Sequence, residues 1–406
     1  MPRSSPGCSP PASGSRPTEA DPLHTRPRGA CLRPPVTQGG RRDSAPALRF
    51  RTLAGVNPHA GESLFDDDDA EPTGSRPAGR GTLEPAAFSD DLLRLGRQLP
   101  RGVYLGTSSW SFPGWRGLVY GGDYTESQLA RAGLAAYCRH PVLRTVGIDR
   151  SFYQPLSAAD YARYAAQTPP DFRFLVKAPT RLTDAVVRGE RGAPADANPD
   201  FLDAVRAEEA FVRPAVEGLG DKAGVLLFQL SPLPREATRG EAAHATIGRI
   251  GDFFEALPRA IGDLAPTYAL ELRNAELLTP RLVRTLRAAG VRLCVGVHPR
   301  MPEAARQSAA LRAMDAAPEE GDAWKLKGPL VVRWSLHAGL AYDEAKARYA
   351  PFDRLIDVDI ATRGALAHMV HVALRSSQSA YVIVNNKAEG SAPLSCIELA
   401  RAVVGL

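Results

Sequence analysis

Residues Gly224–Leu230 read GVLLFQL, an apolar run interrupted only by the polar side chain of Gln229 near its end. A strand that is apolar at nearly every position is typical of a parallel sheet covered by helices on both faces. Seven further runs of this kind occur between Val103 and the end of the chain, and most are followed by a helix-like pattern. These runs are Val103–Thr107, Thr145–Phe152, Phe172–Ala178, Tyr268–Asn274, Val291–His298, Leu330–Leu336 and Tyr381–Asn386.

Eight strand–helix units in roughly 300 residues predict an α/β fold, a (β/α)8 TIM-like barrel with long βα loops. Long loops are expected at Arg188–Pro199, which carries Pro and Gly, after strand four from Gln229–Pro232, and after strand six at His298–Met314. In such barrels the active site is built from side chains at the carboxyl ends of the strands. The same ends are therefore the place to search for functional residues in this chain.

The first part of the chain has a different composition from the rest. Residues 1–88 are rich in Pro, Gly, Ser and Arg and have no sustained apolar periodicity, which predicts a disordered N-terminal extension. The acidic run Asp66–Asp69 is expected to stay solvated. Ser89 is placed to cap a short helix that leads into the barrel domain, residues 89–406.

Composition limits the classes of protein to which the chain can belong. The net charge of +5 and the isoelectric point near 9.0 give only a weak attraction to anions, nucleic acid included. The five cysteines show neither paired nor metal-ligand spacing, which indicates a reduced protein without a disulfide framework. No apolar run reaches the roughly 20 residues that a membrane span needs. We therefore expect a soluble, cytoplasmic protein that does not bind membranes.

Six short motifs follow one another along the predicted strand ends. They are Gly106–Trp110 (GTSSW), Ser151–Tyr153 (SFY), Thr168-Pro169 with Phe174–Pro179 (FLVKAP), Leu227–Leu230 (LFQL), Glu271–Arg273 (ELR), and Asn385-Asn386 with Gly390 and Ala392. In this order they resemble the YecE-like family, also called domain of unknown function 72, over about Val103–Leu406. The resemblance implies an eight-stranded β/α barrel and a family without an established reaction.

The chain departs from the pattern of that family at three positions. Gly147 stands where the family usually has a glutamate, Asn274 where it has a histidine, and Lys387 where it has an aspartate. Two carboxylates and a histidine are thus missing. The resemblance therefore leaves open whether the site is active or belongs to a catalytically degenerate barrel.

Glu271 and Arg273 alternate with leucines on the fifth predicted strand. Because side chains two residues apart point to the same face of a strand, both are expected to enter the barrel lumen together. A carboxylate beside a guanidinium stays ionised, so Glu271 is a candidate catalytic acid/base. The alternative is a structural ion pair that closes the barrel interior.

Lys177 ends the third predicted strand and is the second candidate catalytic residue. Its ammonium could bind a phosphate or a carboxylate, or could pair with Glu271 across the lumen. A Schiff base is a third possibility if burial lowers the pKa of Lys177. These three roles remain open at the level of the sequence.

Further polar and aromatic residues near the strand ends are candidate contacts to a substrate. The aromatic side chains suit stacking on a sugar or a base, although the Phe112–Trp115 loop could instead plug the barrel. The two asparagines suit hydroxyl groups, although they could instead hold the last βα turn. The candidate substrate-binding residues are Trp110, Trp115, Arg150, Tyr153, Gln229, Arg273, Arg333, His337, Asn385 and Asn386.

The function predicted from these residues is a metal-independent enzyme that acts on a small anionic or polyhydroxylated substrate, such as a sugar phosphate or a nucleotide fragment. We expect no metal and no cofactor, because the histidines at strand ends, His298 and His337, lack a second ligand at helical or hairpin spacing. The reaction class stays open among hydrolase, lyase and isomerase, and the oligomeric state stays open as well. The alternative is a nucleic-acid-binding or repair-associated barrel without small-molecule turnover.

Overall fold

The computed structural model describes residues 83–188, 194–316 and 324–405. Within these residues, eight parallel strands close into a barrel, and a two-stranded antiparallel hairpin, β4–β5, stands apart from it. The strands are β1 (Val103–Thr107), β2 (Leu143–Ile148), β3 (Arg173–Lys177), β4 (Val186–Arg188), β5 (Pro194–Ala197), β6 (Ala223–Gln229), β7 (Tyr268–Glu271), β8 (Arg292–Val297), β9 (Leu330–Trp334) and β10 (Ala380–Val384). The barrel closes where β1 pairs with both β2 and β10. The predicted α/β barrel is therefore confirmed.

Two of the predicted strands end three or four residues earlier than the apolar pattern indicated, and the others end within two residues of the expected position. The second was expected to continue to Phe152, but β2 ends at Ile148 and a helical turn begins at Arg150. Ser151 accounts for this change, because its hydroxyl donates to Ile148 O and to Lys177 O and turns the chain out of the sheet. The fifth was expected to continue to Asn274, whereas β7 ends at Glu271.

Helices cover the outside of the barrel. Side-chain caps begin several of them; in α5, for example, Ser157 and Asp160 form a capping box. None of the described helices is both long and apolar enough to span a membrane. The helices are α1 (Asp90–Gln98), α2 (Glu126–Ala132), α3 (Leu134–Tyr137), α4 (Arg150–Tyr153), α5 (Ala158–Ala165), α6 (Thr180–Thr183), α7 (Ala204–Ala207), α8 (Arg213–Leu219), α9 (Gly240–Ala256), α10 (Pro280–Ala288), α11 (Ala304–Asp315), α12 (Tyr342–Tyr349), α13 (Ile360–Arg375) and α14 (Ala392–Gly405).

The buried apolar residues form two main layers, one between the strands and the helices and one inside the barrel. The inner layer is small, and Tyr104 stacks on Tyr381 within it with ring centroids 4.8 Å apart. Because strand side chains alternate in direction, the barrel strands other than β2 contribute to both layers. The buried members of the inner layer are Leu175, Val225, Leu227, Ala269, Cys294, Val331, Tyr381 and Ile383.

The described part of the chain begins before the helix that Ser89 caps. Leu83 and Ala86 are buried, the Ala86 N–H donates to Val119 O at 2.9 Å, and the Gly121 N–H donates to Glu84 O at 2.9 Å. These residues were assigned to the N-terminal extension, yet they pack on the loop that follows β1. Residues 1–82, including the acidic run, lie outside the described residues.

Candidate functional site

Polar side chains occupy the barrel lumen at the carboxyl ends of the strands, directly beyond the inner apolar layer. On four strands an inward-facing apolar residue is followed two positions later by a buried polar one, as the alternation of strand side chains requires. The pairs are Leu175 and Lys177, Leu227 and Gln229, Ala269 and Glu271, and Val331 and Arg333. We define the lumen cluster as Asp149, Lys177, Gln229, Glu271, Arg273 and Arg333.

Glu271 is the centre of the lumen cluster and is fully buried. Its Oε1 accepts a hydrogen bond from Arg273 Nη1 at 2.5 Å, and its Oε2 accepts one from Arg333 Nη1 at 2.8 Å. Burial by itself would raise the pKa of Glu271, but the two guanidinium charges and their hydrogen bonds outweigh it and lower the pKa to about 2. The carboxylate is therefore ionised and occupied on both oxygens, which favours a structural role over acid/base catalysis.

Gln229 and Asp149 accept further hydrogen bonds from the two arginines. Gln229 Oε1 accepts hydrogen bonds from Arg333 Nη1 at 2.6 Å and from Arg273 Nη2 at 3.3 Å. Arg333 Nη2 donates to Asp149 Oδ2 at 3.2 Å, a contact that joins β9 to the residue after β2. The Asp149 side chain is 29% exposed, so it marks the side of the lumen cluster that opens toward solvent.

Lys177 supplies the third cation of the lumen cluster. Its Nζ lies 3.5 Å from the centroid of the Phe152 ring, and the residue is only 5% exposed. Burial lowers the pKa of Lys177 to about 7; Asp149 acts against this shift, while Arg333 acts with it. At neutral pH a substantial fraction of this amine is therefore uncharged, unlike an ordinary lysine.

Three buried polar atoms of the lumen cluster have no hydrogen-bond partner among the described residues. They are the Nε–H donors of Arg273 and Arg333 and the Oδ1 acceptor of Asp149. Buried polar groups are almost always hydrogen-bonded, so unsatisfied ones need an explanation. A bound ligand with anionic and hydrogen-bonding groups would satisfy all three.

His298 lies next to the lumen cluster, just after β8, and is half-buried. Its Nδ1 accepts a hydrogen bond from the Arg300 N–H at 3.1 Å, which in the neutral ring leaves the proton on Nε2. Burial and then the charge of Arg273 lower the pKa of His298 to about 3. The ring is thus a neutral hydrogen-bond donor at physiological pH.

The predicted aromatic wall is not part of this site. Trp110 donates from Nε1 to Leu129 O at 3.1 Å and packs edge-on against Tyr164, in the layer between the strands and the helices. Trp115 is fully buried and donates to Asn386 Oδ1 at 3.3 Å. Both rings point away from the lumen because the chain leaves the sheet after Thr107, where the strand alternation ends.

The two asparagines after β10 differ in their surroundings. Asn386 is buried, and its Oδ1 also accepts from the Ala392 N–H at 2.9 Å, so it holds the turn into α14. Asn385 is half-buried and donates from Nδ2 to Ser108 Oγ at 2.9 Å, which places it on the rim of the barrel. The Asn385 Oδ1 also accepts from the Lys387 N–H at 3.0 Å, so both asparagines hold this turn, and of the two only Asn385 is partly exposed at the rim.

The other three candidate binding residues lie outside the lumen cluster. Arg150 is exposed on α4, and Tyr153 is 47% exposed and packs edge-on against Phe152. His337 donates from Nδ1 to Ala338 O at 2.7 Å, and its backbone N–H donates to Lys387 O. The described residues contain no group of three or more His, Cys, Asp or Glu side chains that could hold a metal ion.

Two of the departures from the family pattern lie away from the lumen cluster. Asn274 accepts from the Leu233 N–H at 2.7 Å and donates to Leu233 O, so it fastens the loop after β6. Lys387 is buried with its Nζ 4.0 Å from the centroid of the Tyr342 ring. The third departure, Gly147, is on β2, where a Cβ atom would lie 2.9 Å from Ser108 O. The glycine thus permits a close approach of β1 and β2.

Asp149 and Phe152 belong to the site although the sequence did not single them out. Asp149 follows Gly147 by two residues, and this period would have indicated its inward direction. Phe152 is on α4, beyond the end of β2, where no periodicity in the sequence predicts a contact with Lys177. A separate groove between α10 and α11, lined mainly by alanines and prolines, shares no residue with the lumen cluster.

The chain is similar to several solved structures at low sequence identity. The chain is similar to the structure of a DUF72 family protein from Thermotoga maritima, with 19% identity, a TM-score of 0.47 and coverage of 74% of this chain and 98% of that one. It is also similar to a DUF72 family protein from Enterococcus faecalis, with 18% identity, a TM-score of 0.45 and coverage of 74% and 95%. A methyltransferase from Methanosarcina mazei is more distant, with 11% identity, a TM-score of 0.35 and coverage of 77% and 96%.

The sequence itself gives the assignment. No curated protein matches the chain. The family model described as a protein of unknown function, DUF72, matches residues 104–405, from the first barrel strand to the last helix. The chain therefore belongs to the DUF72 family.

Proposed function

We propose that the chain is an enzyme that binds a small anionic substrate at the carboxyl end of the barrel, against the lumen cluster. The observation that carries this proposal is the pair of buried guanidinium groups, Arg273 and Arg333, each with an unpartnered Nε–H. When Lys177 is protonated, they make three cations against two carboxylates, Glu271 and Asp149. Buried charge is costly unless it is paired or used, so a bound anion accounts for the surplus.

The residues of the lumen cluster take distinct roles in this proposal. Arg273 and Arg333 bind the anionic group, and Glu271 is a positioning residue that fixes both guanidiniums. Lys177 exchanges a proton with the substrate, since its pKa of about 7 is close to neutral pH. Asn385 on the rim contacts a substrate hydroxyl.

A small ligand fits this arrangement better than a nucleic acid. A nucleic-acid interface spreads its arginines over an exposed surface, where they meet successive phosphates. Here Lys177, Arg273 and Arg333 are each 5% exposed and converge inside the barrel. Convergent, buried polar groups are typical of a small-molecule site.

The test is a thermal-shift measurement on the full chain with inorganic phosphate and with oxalate, at constant ionic strength set by chloride. A ligand at a hundredfold excess over its Kd stabilises the folded state by about 2.7 kcal/mol, which corresponds to about 5 °C in a domain of this size. We expect a rise of this order for at least one of the two anions. If neither raises Tm beyond chloride, the proposal is wrong.

A matched pair of arginine variants shows whether the anion that raises Tm binds at the lumen cluster. Arg333→Gln removes a guanidinium from the lumen cluster, whereas Arg292→Gln removes one from a buried bidentate pair with Asp315 at the opposite end of β8. Both variants are expected to lower Tm in the absence of anions. Only Arg333→Gln should abolish the rise that the anion causes; if Arg292→Gln abolishes it instead, the anion binds elsewhere.

A further inference from the structure

The helix α4 contacts both the main chain and the side-chain amine of Lys177. Its backbone carbonyl accepts a hydrogen bond from Ser151 Oγ at 2.6 Å, which joins the end of β3 to the helix α4. The Nζ atom lies 3.5 Å from the centroid of the Phe152 ring, on the same helix. One short helix therefore fixes both the main chain and the amine of this residue.

The surroundings of the amine disfavour its charged form. The fully buried Phe152 removes water from one side, and the charges of Arg333 and Arg273 oppose protonation. Asp149, Glu271 and the face of the Phe152 ring favour the charged form, but the desolvation of the amine outweighs them. A lysine that is desolvated and close to other cations has a lowered pKa and becomes a nucleophile near neutral pH. The pKa of about 7 for Lys177 agrees with this geometry.

We propose, building on the anion-binding function above, that Lys177 forms an imine with a substrate that carries both a carbonyl group and an anionic group. The Nζ lone pair attacks the carbonyl carbon, the C=O π bond breaks, and a carbinolamine forms. One N–H proton moves to the oxygen as the carbinolamine forms. The carbinolamine then loses this hydroxyl group and the second N–H proton as one molecule of water, and the nitrogen lone pair forms the C=N double bond to Lys177. No oxidant or reductant is needed for this step.

The remaining groups of the lumen cluster fit the two ends of such a substrate. The Nε–H groups of Arg273 and Arg333 bind the carboxylate or phosphate. Asp149 is the carboxylate whose charge acts most strongly on Lys177, and its Oδ1 is unpartnered. Asp149 is therefore the group that transfers the proton from nitrogen to the departing oxygen.

Reductive trapping tests the imine directly on the full chain. The protein is incubated at pH 7 with sodium cyanoborohydride and one of three ketones: pyruvate, dihydroxyacetone phosphate, or the neutral hydroxyacetone. Peptide mass spectrometry then measures the secondary amine at each lysine. We expect Lys177 to be labelled at least tenfold more than Lys222, whose Nζ donates to the carbonyls of Ala165 and Thr168.

The three ketones distinguish the nature of the anion. Preferential labelling by pyruvate identifies a carboxylate, and preferential labelling by dihydroxyacetone phosphate identifies a phosphate; either supports the proposal. Labelling of Lys177 by hydroxyacetone to the same extent would overturn the requirement for an anionic group. The Lys177→Arg variant keeps the positive charge and should give no adduct at this position.

The outcome is separable from that of the proposed function. If phosphate or oxalate raises Tm through Arg333 but neither anionic ketone labels Lys177, the imine is wrong and anion binding stands. If an anionic ketone labels Lys177 and the label falls at least tenfold in Arg333→Gln, both are supported. If neither a rise in Tm nor a label is found, both are wrong.

Discussion

Glu271 Oε2 accepts a hydrogen bond from Arg333 Nη1 at 2.8 Å although β8 lies between their two strands. Gly296 on β8 lies beside this contact, and a Cβ atom there would be 3.4 Å from Glu271 Oε1, about van der Waals distance. The ion pair thus reaches across three strands, from β7 to β9. It fixes the guanidinium of Arg333, whose Nε–H has no hydrogen-bond partner among the described residues. A buried pair of this kind stabilises the barrel only while both partners are present.

The first prediction concerns this pair. Glu271→Gln leaves two buried guanidiniums without their shared carboxylate, so we expect the free energy of unfolding to fall by about 3–5 kcal/mol. Arg333→Met should also be costly, and the double variant should lose less than the sum of the two. Urea denaturation of all four proteins measures the coupling. Additive losses would mean that the pair does not interact as described.

The second prediction separates the tryptophans from the binding site. Trp110→Phe and Trp115→Phe each remove one buried hydrogen bond, to Leu129 O and to Asn386 Oδ1 respectively. Each variant should lose about 1 kcal/mol of stability in urea denaturation. The rise of Tm with phosphate or oxalate should stay as in the unaltered protein. A lost rise with unchanged stability would return that tryptophan to the substrate wall.

The sequence predicted the site residues that end strands, and Arg273 just after β7, but it was wrong for Trp110 and Trp115, which follow β1. Lys177, Glu271 and Arg333 end apolar runs, and the period of two is sufficient to direct them into the lumen. Trp110 and Trp115 follow β1, where the direction of a side chain depends on contacts with residues distant in the sequence, such as Asn386.

The chemical roles of the site residues were harder to predict than their positions. A carboxylate such as Glu271 would by itself suit acid/base catalysis. In the structure, however, its second oxygen accepts a hydrogen bond from Arg333, which lies on a strand about 60 residues later. No local sequence pattern predicts this contact. The environment of the Lys177 amine likewise depends on Phe152. This residue is on helix α4, whereas the apolar pattern predicts a strand there.

The third prediction concerns the start of the folded part. Deleting residues 1–82 should leave Tm unchanged, because their composition provides no apolar face with which to pack. Deleting residues 1–88 also removes Leu83 and Ala86, which are buried, and two backbone hydrogen bonds to the loop after β1. We expect this second deletion to lower Tm by several degrees. Equal Tm values for both deletions would show that residues 83–88 contribute nothing to stability.

The last prediction is a pH dependence that arises from Lys177. Its pKa is lowered from 10.5 to about 7 in the folded state, chiefly by burial. Between these two values the unfolded chain binds the extra proton, so this residue makes the free energy of unfolding rise with pH. Below pH 7 the amine is charged in both states, and its desolvation destabilises the fold by a constant amount.

Lys177→Met removes this contribution and keeps much of the side-chain volume. We therefore expect the variant to be more stable than the unaltered protein at pH 6–7, where the buried amine carries its charge. The advantage should shrink as the pH rises from 7 toward 10.5, because the unaltered protein then folds with a neutral amine. Urea denaturation of both proteins at pH 6, 7, 8 and 9 gives the difference directly, and effects from all other groups cancel in it. A difference that stays constant from pH 7 to 9 would mean that the pKa of Lys177 is not lowered, and the nucleophilic role of this amine near neutral pH would lose its physical basis.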